Sequence, residues 1–380
     1  MDFRYTDEQQ AMQATLQRFV ARDYDFEAQR AFARSGIGYS PRAWSQYAEL
    51  GLLGLPLPEE FGGLGGNAVD VMVVMEQVGA GLLLEPYLTS VVLCAGLLAA
   101  AATPQMQRAL LPRVAAGECK LALAAYEPAG RYELSHVAAT ARTRAGGWEL
   151  SGLKAVVLDA PSADAFIVSA RDSGATGASS GVSLFLVPRD APGLTVSSYP
   201  TQSGSRAGDV QLAAVTVGAE ALIGTVGQGL VPLEKAVDAA IAALCAEALG
   251  IMNALNQATL AYLKSRKQFG VAIGTFQALQ HRMAEMFIAE EQARSMTIIA
   301  AVNAHADGAA RRRAVSGAKA YVGQAARQVG QEAVQMHGGM GVVDELIVSH
   351  YFKRLTMIDR TFGDVDYHLA RFADSAVPRD

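Results

Sequence analysis

The chain has 380 residues, of which 51% are apolar and 18% charged, and its formal net charge is −5. This composition predicts one large folded core or two to three smaller ones, and the acidic balance argues against nonspecific nucleic-acid binding. The three cysteines form no CxxC pair and the six histidines show no HExxH spacing, which favours a reducing compartment and argues against a metal site.

The first 119 residues are predicted to be helical. Thr6–Gln9 is a capping-box start, after which Leu16 and Phe19 recur at helical spacing. The polar, acidic start of the chain shows no signal-peptide pattern, which favours a cytoplasmic protein. The apolar run Leu88–Ala102 is too short for a confident membrane span, so we expect a buried helix and no membrane contact. Further helices are expected over Arg42–Leu53, Val69–Ala80, Tyr87–Ala101 and Pro104–Ala116.

Residues 120–228 are predicted to form a β domain, because the apolar period falls to two and turn residues multiply. Ala145-Gly146-Gly147 indicates a β-hairpin, and Asp172–Ser180 has the composition of a flexible loop. The expected strands cover Val137–Ala141, Trp148–Leu150, Phe166–Val168, Val182–Val187, Leu194–Val196 and Val210–Val217.

Residues 229–380 are predicted to be helical again. Two long helices lie within Val231–Phe287, and the first is apolar almost all round, which is typical of a helix buried in a core. A third long helix is expected over Ala314–His337, closed by glycines, and shorter helices over Asp344–Tyr351 and Asp364–Phe372.

The connection between the first two long helices carries a cation and an aromatic ring beside glycines. Arg266 lies at the end of the first helix, Phe269 and Gly270 interrupt the pattern, and Phe276 opens the second helix. A permanent cation with an aromatic ring suits a large anionic cofactor with a flat ring system. On spacing alone, a plain helix hairpin with a C-cap glycine is the favoured alternative.

The residue types here are more specific than their spacing. RKQFG at 266–270, followed by Phe276-Gln277, resembles the signature of the acyl-CoA dehydrogenase family, and the order of helical, β-rich and helical blocks extends the resemblance over nearly the whole chain. The resemblance is closest to the small subunit of bacterial two-subunit pimeloyl-CoA dehydrogenases. It implies an α+β protein with an N-terminal α-helical domain (1–119), a middle β-barrel domain (120–228) and a C-terminal four-helix bundle (229–380).

The resemblance implies FAD bound across a boundary between two subunits. Arg266 matches the family's arginine on the pyrophosphate of a neighbouring subunit's FAD. Phe269 matches the aromatic residue packed against the cofactor, and Phe276 belongs to the same segment.

A second cofactor segment is implied at the end of the third long helix. Gln335, Gly338 and Gly339 match the adenosine side of the family's site, where glycine permits close backbone approach. The segment is no Rossmann fingerprint, because it follows a helix and not a strand. Taken alone, an ordinary helix C-cap is the better interpretation, and only together with RKQFG does the cofactor interpretation prevail.

The flavin ring contacts depart from the family pattern. Tyr126, in Tyr126-Glu127-Pro128, stands where the family usually has the threonine that hydrogen-bonds the flavin. After Lys154, the places of the usual tryptophan and threonine fall on Val156 and Leu158, for which simple strand core is an equal alternative.

The family's catalytic base is missing from its usual position. Such enzymes remove the α-proton of an acyl thioester while the β-hydrogen leaves as hydride to the flavin, which requires a carboxylate of raised pKa beside the α-carbon. Most members carry this glutamate in a Tyr-Glu-Gly-Thr phrase after the glycine segment. Counted from Gly338 without a gap, that position falls on Phe362.

Two other carboxylates are candidates for the base. Some members place it on the buried helix, where Glu247 is the only carboxylate well inside, although the isovaleryl-type position aligns with Ala240, roughly 10 Å away along the axis. Because burial of a lone carboxylate is costly, Glu247 is either the base or a hydrogen-bonded core or interface carboxylate. Asp364, with a shorter side chain, is the weaker candidate.

Asp238 matches an aspartate that the family uses near coenzyme A, although Ile241 replaces the usual arginine. A solvated aspartate in the first turn of a helix is the alternative for Asp238.

The resemblance implies an FAD-dependent acyl-CoA dehydrogenase that passes electrons to an electron-transfer flavoprotein. The expected substrate is a dicarboxylyl-CoA such as pimeloyl-CoA, or another bulky acyl-CoA, and the expected assembly is a homotetramer or a heterotetramer with a larger acyl-CoA dehydrogenase subunit. The alternatives are a non-catalytic subunit that completes a partner's flavin site, and an acyl-CoA oxidase.

Overall fold

The structure is a computed structural model that describes residues 5–375. Its helices are α1 (Asp7–Asp23), α2 (Phe26–Arg34), α3 (Pro41–Glu49), α4 (Ala68–Ala80), a π-helical segment (Tyr87–Ala95) that continues into α5 (Gly96–Ala101), α6 (Pro104–Ala115), α7 (Leu230–Ser265), α8 (Gln277–Asn303), α9 (Gly308–His337), α10 (Ile347–Arg360) and α11 (Val365–Asp374).

Eight strands between α6 and α7 form one sheet, in the order β6-β7-β3-β2-β4-β5-β8 with β1 paired to β4. Its core is apolar and includes Phe166, Val168 and Phe185. The strands are β1 (Leu121–Ala124), β2 (Thr140–Arg144), β3 (Gly147–Leu158), β4 (Ala165–Arg171), β5 (Val182–Pro188), β6 (Leu194–Pro200), β7 (Arg206–Gly218) and β8 (Leu222–Ile223).

Most predicted elements are confirmed. Thr6 caps α1 reciprocally with Gln9, as the capping box predicts. β2 and β3 form the expected hairpin, although β2 begins only at Thr140. The helix expected from Asp344 begins at Ile347 and continues to Arg360.

The chain divides into two compact units. Among the described residues, one unit contains 5–30, Ala68–Leu83 and 241–375, and the other contains Ala31–Asn67 and Leu84–Ala240. The first is helical and holds most of α7, whereas the second holds the sheet. The sequence neighbours α3 and α4 therefore belong to different units.

Helix α7 is buried along most of its length, as its apolar sequence predicts. It is the one helix within residues 5–375 long and apolar enough to span a membrane, but 83% of its most apolar window is buried, as in the core helix of a soluble protein. Glycines bring α7 close to α4: a Cβ on Gly250 would lie 1.9 Å from Glu76 O, and one on Gly79 would lie 2.0 Å from Glu247 O.

The three cysteines are free thiols, and each is buried. Cys94 and Cys119 lie in the unit that contains the sheet, and Cys245 lies on α7. They form no disulfide, in agreement with their spacing in the sequence.

Candidate active site

The segment between α7 and α8 is a two-stranded hairpin with an aromatic residue at its tip. Strand β9 (Lys267–Gln268) pairs antiparallel with β10 (Val271–Ala272), so Phe269 and Gly270 form the turn. Their φ angles are +53° and +82°, as a two-residue type I′ turn requires. The C-cap alternative is therefore wrong, and Phe269 is 91% exposed in a conformation that disfavours bulky residues.

Arg266 lies at the base of this hairpin. Its N–H donates to Tyr262 O at 2.8 Å, and its own carbonyl accepts from Ile273 N–H at 2.9 Å, which fixes the backbone. Its side chain is exposed and takes part in none of the ion pairs found within residues 5–375. Phe276 packs edge-to-face on Phe269 with centroids 6.3 Å apart. The hairpin thus presents a cation and two rings.

The predicted glycine segment follows α9 directly. Gly338 has φ 60° and ψ −139°, a combination essentially restricted to glycine. A Cβ on Gly338 or Gly339 would meet no atom within 4 Å, so there is open space beside this backbone. Gln335 lies in the last turn of α9.

A ring stack joins the two predicted cofactor segments. Tyr262, four residues before Arg266, stacks on His337, which precedes Gly338, with centroids 4.4 Å apart. Burial lowers the pKa of His337, and its Nδ1 lies 2.8 Å from Ala333 O, so the neutral ring carries its hydrogen on Nδ1. The stack is not predicted from the sequence, although each ring directly neighbours a predicted segment.

Tyr126 lies in the other unit, just after β1. Its carbonyl accepts from Ala155 N–H at 2.9 Å, which attaches it to β3. Val156 is exposed and has φ +52°, so the strand-core alternative is wrong for this residue. The register between β3 and β7 shifts at this point, which indicates a β-bulge. Leu158 is half-buried.

Glu247 is almost fully buried on α7 and engaged by an arginine. Arg354 Nε donates to Glu247 Oε1 at 2.5 Å and Nη2 donates to Oε2 at 2.8 Å. Two hydrogen bonds from one guanidinium hold a carboxylate in a fixed orientation. The geometry supports the alternative of a core carboxylate, and the role of base stays a prediction.

Asp364 is the N-cap of α11. Its Oδ1 accepts from Tyr367 N–H at 3.0 Å, and its Oδ2 lies 3.4 Å from Arg360 Nη1. The preceding residue pair adopts unusual backbone angles, with φ +60° at Phe362 and +121° at Gly363. Phe362, at the family's base position, is buried.

Asp238 is fully buried and is the ninth residue of α7, so the alternative of a solvated aspartate in the first turn is wrong. Its role near coenzyme A stays a prediction. Within residues 5–375, no group of three His, Cys, Asp or Glu side chains could hold a metal ion.

A cavity of about 800 Å³ lies between α7, α8 and the hairpin. Its walls are mostly apolar and include Leu260, Met283 and Phe287, and Asn256 and Glu290 add polar groups. None of the predicted cofactor residues lines this cavity, and no sequence pattern predicts it.

Three models of the acyl-CoA dehydrogenase family match the chain: the N-terminal domain at residues 6–118, the middle domain at 122–215 and the C-terminal domain at 227–376. A probable acyl-CoA dehydrogenase of Bacillus subtilis, YngJ, is 29% identical over 94% of this chain and 95% of its own length.

Solved structures agree with these matches. The Tcur3481-Tcur3483 steroid ACAD (G363A variant) has a TM-score of 0.88 and 31% identity, covering 97% of this chain and 98% of its own. The ChsE4-ChsE5 complex from Mycobacterium tuberculosis has a TM-score of 0.90 and 27% identity, covering 100% of both chains. This chain belongs to the acyl-CoA dehydrogenase family of FAD-dependent oxidoreductases.

Proposed function

We propose that this chain is one subunit of a heteromeric acyl-CoA dehydrogenase whose larger family partner supplies the catalytic base. The observation that carries the proposal is Phe362, a buried phenylalanine at the position of the usual base. The two candidate carboxylates are engaged otherwise, because Arg354 holds Glu247 and Asp364 caps α11. Two similar structures carry the names of two chains each, which supports an assembly of unlike subunits.

The residues around the hairpin fit FAD. Arg266 offers an exposed guanidinium with a fixed backbone, which suits a pyrophosphate through two parallel hydrogen bonds. Phe269 and Phe276 offer ring surfaces, and Gly338 and Gly339 leave room for close approach on the adenosine side. When bound, FAD accepts the β-hydrogen of the acyl group as hydride.

The proposed substrate is a CoA thioester with a bulky acyl group, bound with help from Asp238. The resemblance to the pimeloyl-type small subunit supports a dicarboxylyl chain, and the steroid acyl-CoA dehydrogenase among the similar structures supports a polycyclic one. We further propose electron-transfer flavoprotein as the acceptor and the cytoplasm as the compartment.

A homotetramer with Glu247 as base is the second candidate. The observation in its favour is that Glu247 is an almost fully buried carboxylate within the mostly apolar middle part of α7. To accept a proton from substrate, Glu247 would have to give up the contact with Arg354, because both of its carboxylate oxygens already accept hydrogen bonds from that guanidinium. The contact therefore favours the first candidate.

Anaerobic flavin reduction separates the two candidates. The chain is purified alone and with the subunit that accompanies it in native cells, and dicarboxylyl-, steroid- and straight-chain acyl-CoAs are added. We expect bleaching of the yellow band only with the partner, and unchanged bleaching by that assembly when this chain carries Glu247→Gln.

The matched control for Glu247→Gln is Glu285→Gln, which changes an exposed carboxylate on α8. Bleaching by the chain alone, lost in Glu247→Gln and retained in Glu285→Gln, would establish the second candidate. Absence of flavin from every assembly would refute both.

A further inference from the structure

A buried lysine in the sheet unit has a complete set of acceptors. Lys154 on β3 is 0% exposed. Its Nζ donates to Glu127 Oε1 at 2.6 Å, to Ser169 Oγ at 3.1 Å and to Ala125 O at 3.3 Å. The three hydrogens of the ammonium group therefore have three acceptors, one of them on the backbone beside Tyr126.

Glu127 is equally well satisfied. Its Oε1 accepts from Ala139 N–H at 3.0 Å in addition to Lys154, and its Oε2 accepts from Ala138 N–H at 2.7 Å. These bonds connect the segment after β1 with the residues that lead into β2.

Each partner shifts the pKa of the other toward the charged form. Burial lowers the pKa of Lys154 to about 8, and the charge of Glu127 opposes this shift. Burial alone would raise the pKa of Glu127, but the charge of Lys154 and the hydrogen bonds from both backbone amides lower it overall. The contact is therefore a true ion pair.

Stability alone does not account for such a pair. The surrounding sheet core is apolar, and an apolar pair of similar volume is often as stabilising as a buried ion pair. A fully satisfied buried network restricts its members to one arrangement, so its effect here is geometric.

The pair fixes the backbone around Tyr126. Before Tyr126, Lys154 Nζ donates to Ala125 O. After Tyr126, the same Nζ donates to the carboxylate of Glu127. Between them, Tyr126 O accepts from Ala155 N–H, whose neighbour Val156 donates its own N–H to Asp209 Oδ1 at 3.0 Å. Hydrogen bonds thus connect the backbone at Tyr126 directly to the bulge at Val156.

We propose that Lys154 and Glu127 are positioning residues that hold Tyr126 and the bulge at Val156 as a preformed wall for the flavin. This role rests on the proposed function, since it requires that Tyr126 contacts the bound cofactor. The ion pair itself touches no reacting atom.

The test uses the flavin-bearing assembly with the double substitution Lys154→Met and Glu127→Gln, which removes both charges at similar volume. We expect native circular dichroism, an FAD dissociation constant raised about tenfold, and a shifted visible band of the bound flavin. Hydrogen exchange at the amides of Ala138 and Ala139 should become faster in the apoprotein. A folded double variant with unchanged affinity, band and exchange would overturn the proposal.

The matched control is the surface pair Arg144–Glu149 on the β2–β3 hairpin of the same sheet. Arg144 Nη2 lies 2.8 Å from Glu149 Oε1. Arg144→Met with Glu149→Gln removes the same charges, and we expect less than a twofold change in FAD affinity. If the buried double variant does not fold, Ser169→Ala replaces it. That change removes one acceptor of Lys154 and should weaken FAD binding about threefold, so unchanged binding would overturn the proposal.

A double-mutant cycle tests whether the pair acts through Tyr126. In a Tyr126→Ala background, the neutral pair should change FAD affinity less than twofold. A full tenfold effect in that background would overturn the positioning role at Tyr126. Wild-type assembly without any flavin would refute the proposed function, whereas wild-type and neutral-pair assemblies with the same flavin properties would refute only the positioning role.

Discussion

Phe269 occupies a backbone conformation that asparagine or glycine adopts more easily. Its φ of +53° at the first turn position, with 91% exposure, means that the isolated chain gains little from a phenyl ring there. Strain of this kind persists where the strained residue serves a binding partner. The cofactor contact proposed above for Phe269 would account for it.

The substitution Phe269→Asn should separate stability from binding. We expect the free energy of unfolding of the apoprotein to rise by about 1 kcal/mol, because asparagine suits the turn, and FAD affinity to fall at least tenfold. Urea unfolding and FAD titration measure the two effects. Gly270→Ala is the control, because it strains the same turn at φ +82° and leaves the ring in place. Retained FAD affinity in Phe269→Asn would contradict the cofactor contact.

His368 should make the protein acid-labile. Burial and the charges of Lys319 and Arg371 lower its pKa to about 3, against 6.5 unfolded. Between these values only the unfolded state binds the proton, so stability present above pH 6.5 is lost as the pH falls, by about 1.4 kcal/mol per pH unit. Urea unfolding at pH 4 to 7 should show this slope reduced in His368→Gln. If the free energy of unfolding depends on pH in the same way in wild type and His368→Gln, another group is responsible for the acid lability.

At the residue scale, the sequence singles out Phe269 and Arg266 of the hairpin, but it does not predict that Glu247 is paired with an arginine. An isolated carboxylate in an apolar helix is visible in the sequence, whereas its partner Arg354 lies 107 residues away and is identified only by the packing of α10. A sequence alone therefore cannot distinguish a catalytic base at Glu247 from a carboxylate that is paired within the fold.

At the element scale, the crossing of α4 and α7 depends on two glycines. Gly250 approaches Glu76 O, and Gly79 approaches Glu247 O, too closely for any side chain. The contact therefore fixes the position of Glu247, on α7, relative to α4.

Gly250→Ala should destabilise the helical unit strongly. A Cβ at 1.9 Å from a backbone oxygen forces the two helices apart, and we expect a loss of about 3 kcal/mol. Gly96→Ala is the matched control: the residue is at a helix start with φ −60°, and its Cβ would meet nothing within 4 Å. It should be neutral or stabilising by up to about 1 kcal/mol. Equal melting temperatures of the two variants would contradict the tight crossing.

Helix and strand positions were largely predictable because apolar period and turn residues are local signals. Spacing alone favours a C-cap over the hairpin of residues 267–272, since a glycine after a long helix has the same local signal in both cases. The bulge at Val156 was unpredictable, because it depends on the acceptor Asp209 on β7. The close crossing at Gly250 likewise depends on another helix.

At the scale of the whole molecule, α8 carries apolar side chains on its solvent-facing side as well as its buried side. Phe287, Ile288, Ile299 and Val302 are all exposed in the single chain. A flavin site that is completed by a second chain should be lost when the assembly dissociates, because binding and association are then linked by mass action.

Flavin retention should therefore depend on protein concentration. Ile288→Asp places a charge on the exposed apolar side of α8, and we expect weaker association, with FAD released at concentrations where the wild type retains it. Sedimentation and flavin fluorescence measure both. Ser295→Asp, on an exposed position of the same helix, adds the same charge without removing an apolar side chain. Flavin retained by a dissociated chain would show that the site needs no neighbour.

The three buried thiols can report local opening of the folded chain, because each reacts only when it becomes exposed. Burial raises the pKa of Cys94 and Cys119, and raises that of Cys245 to about 12, so little thiolate is available while the protein stays folded. The rate at which a maleimide dye labels the native protein should therefore equal the rate at which the structure opens locally around each thiol. Mass spectrometry of the modified peptides would then time the opening around Cys245 separately from that around Cys94 and Cys119, without any engineered probe.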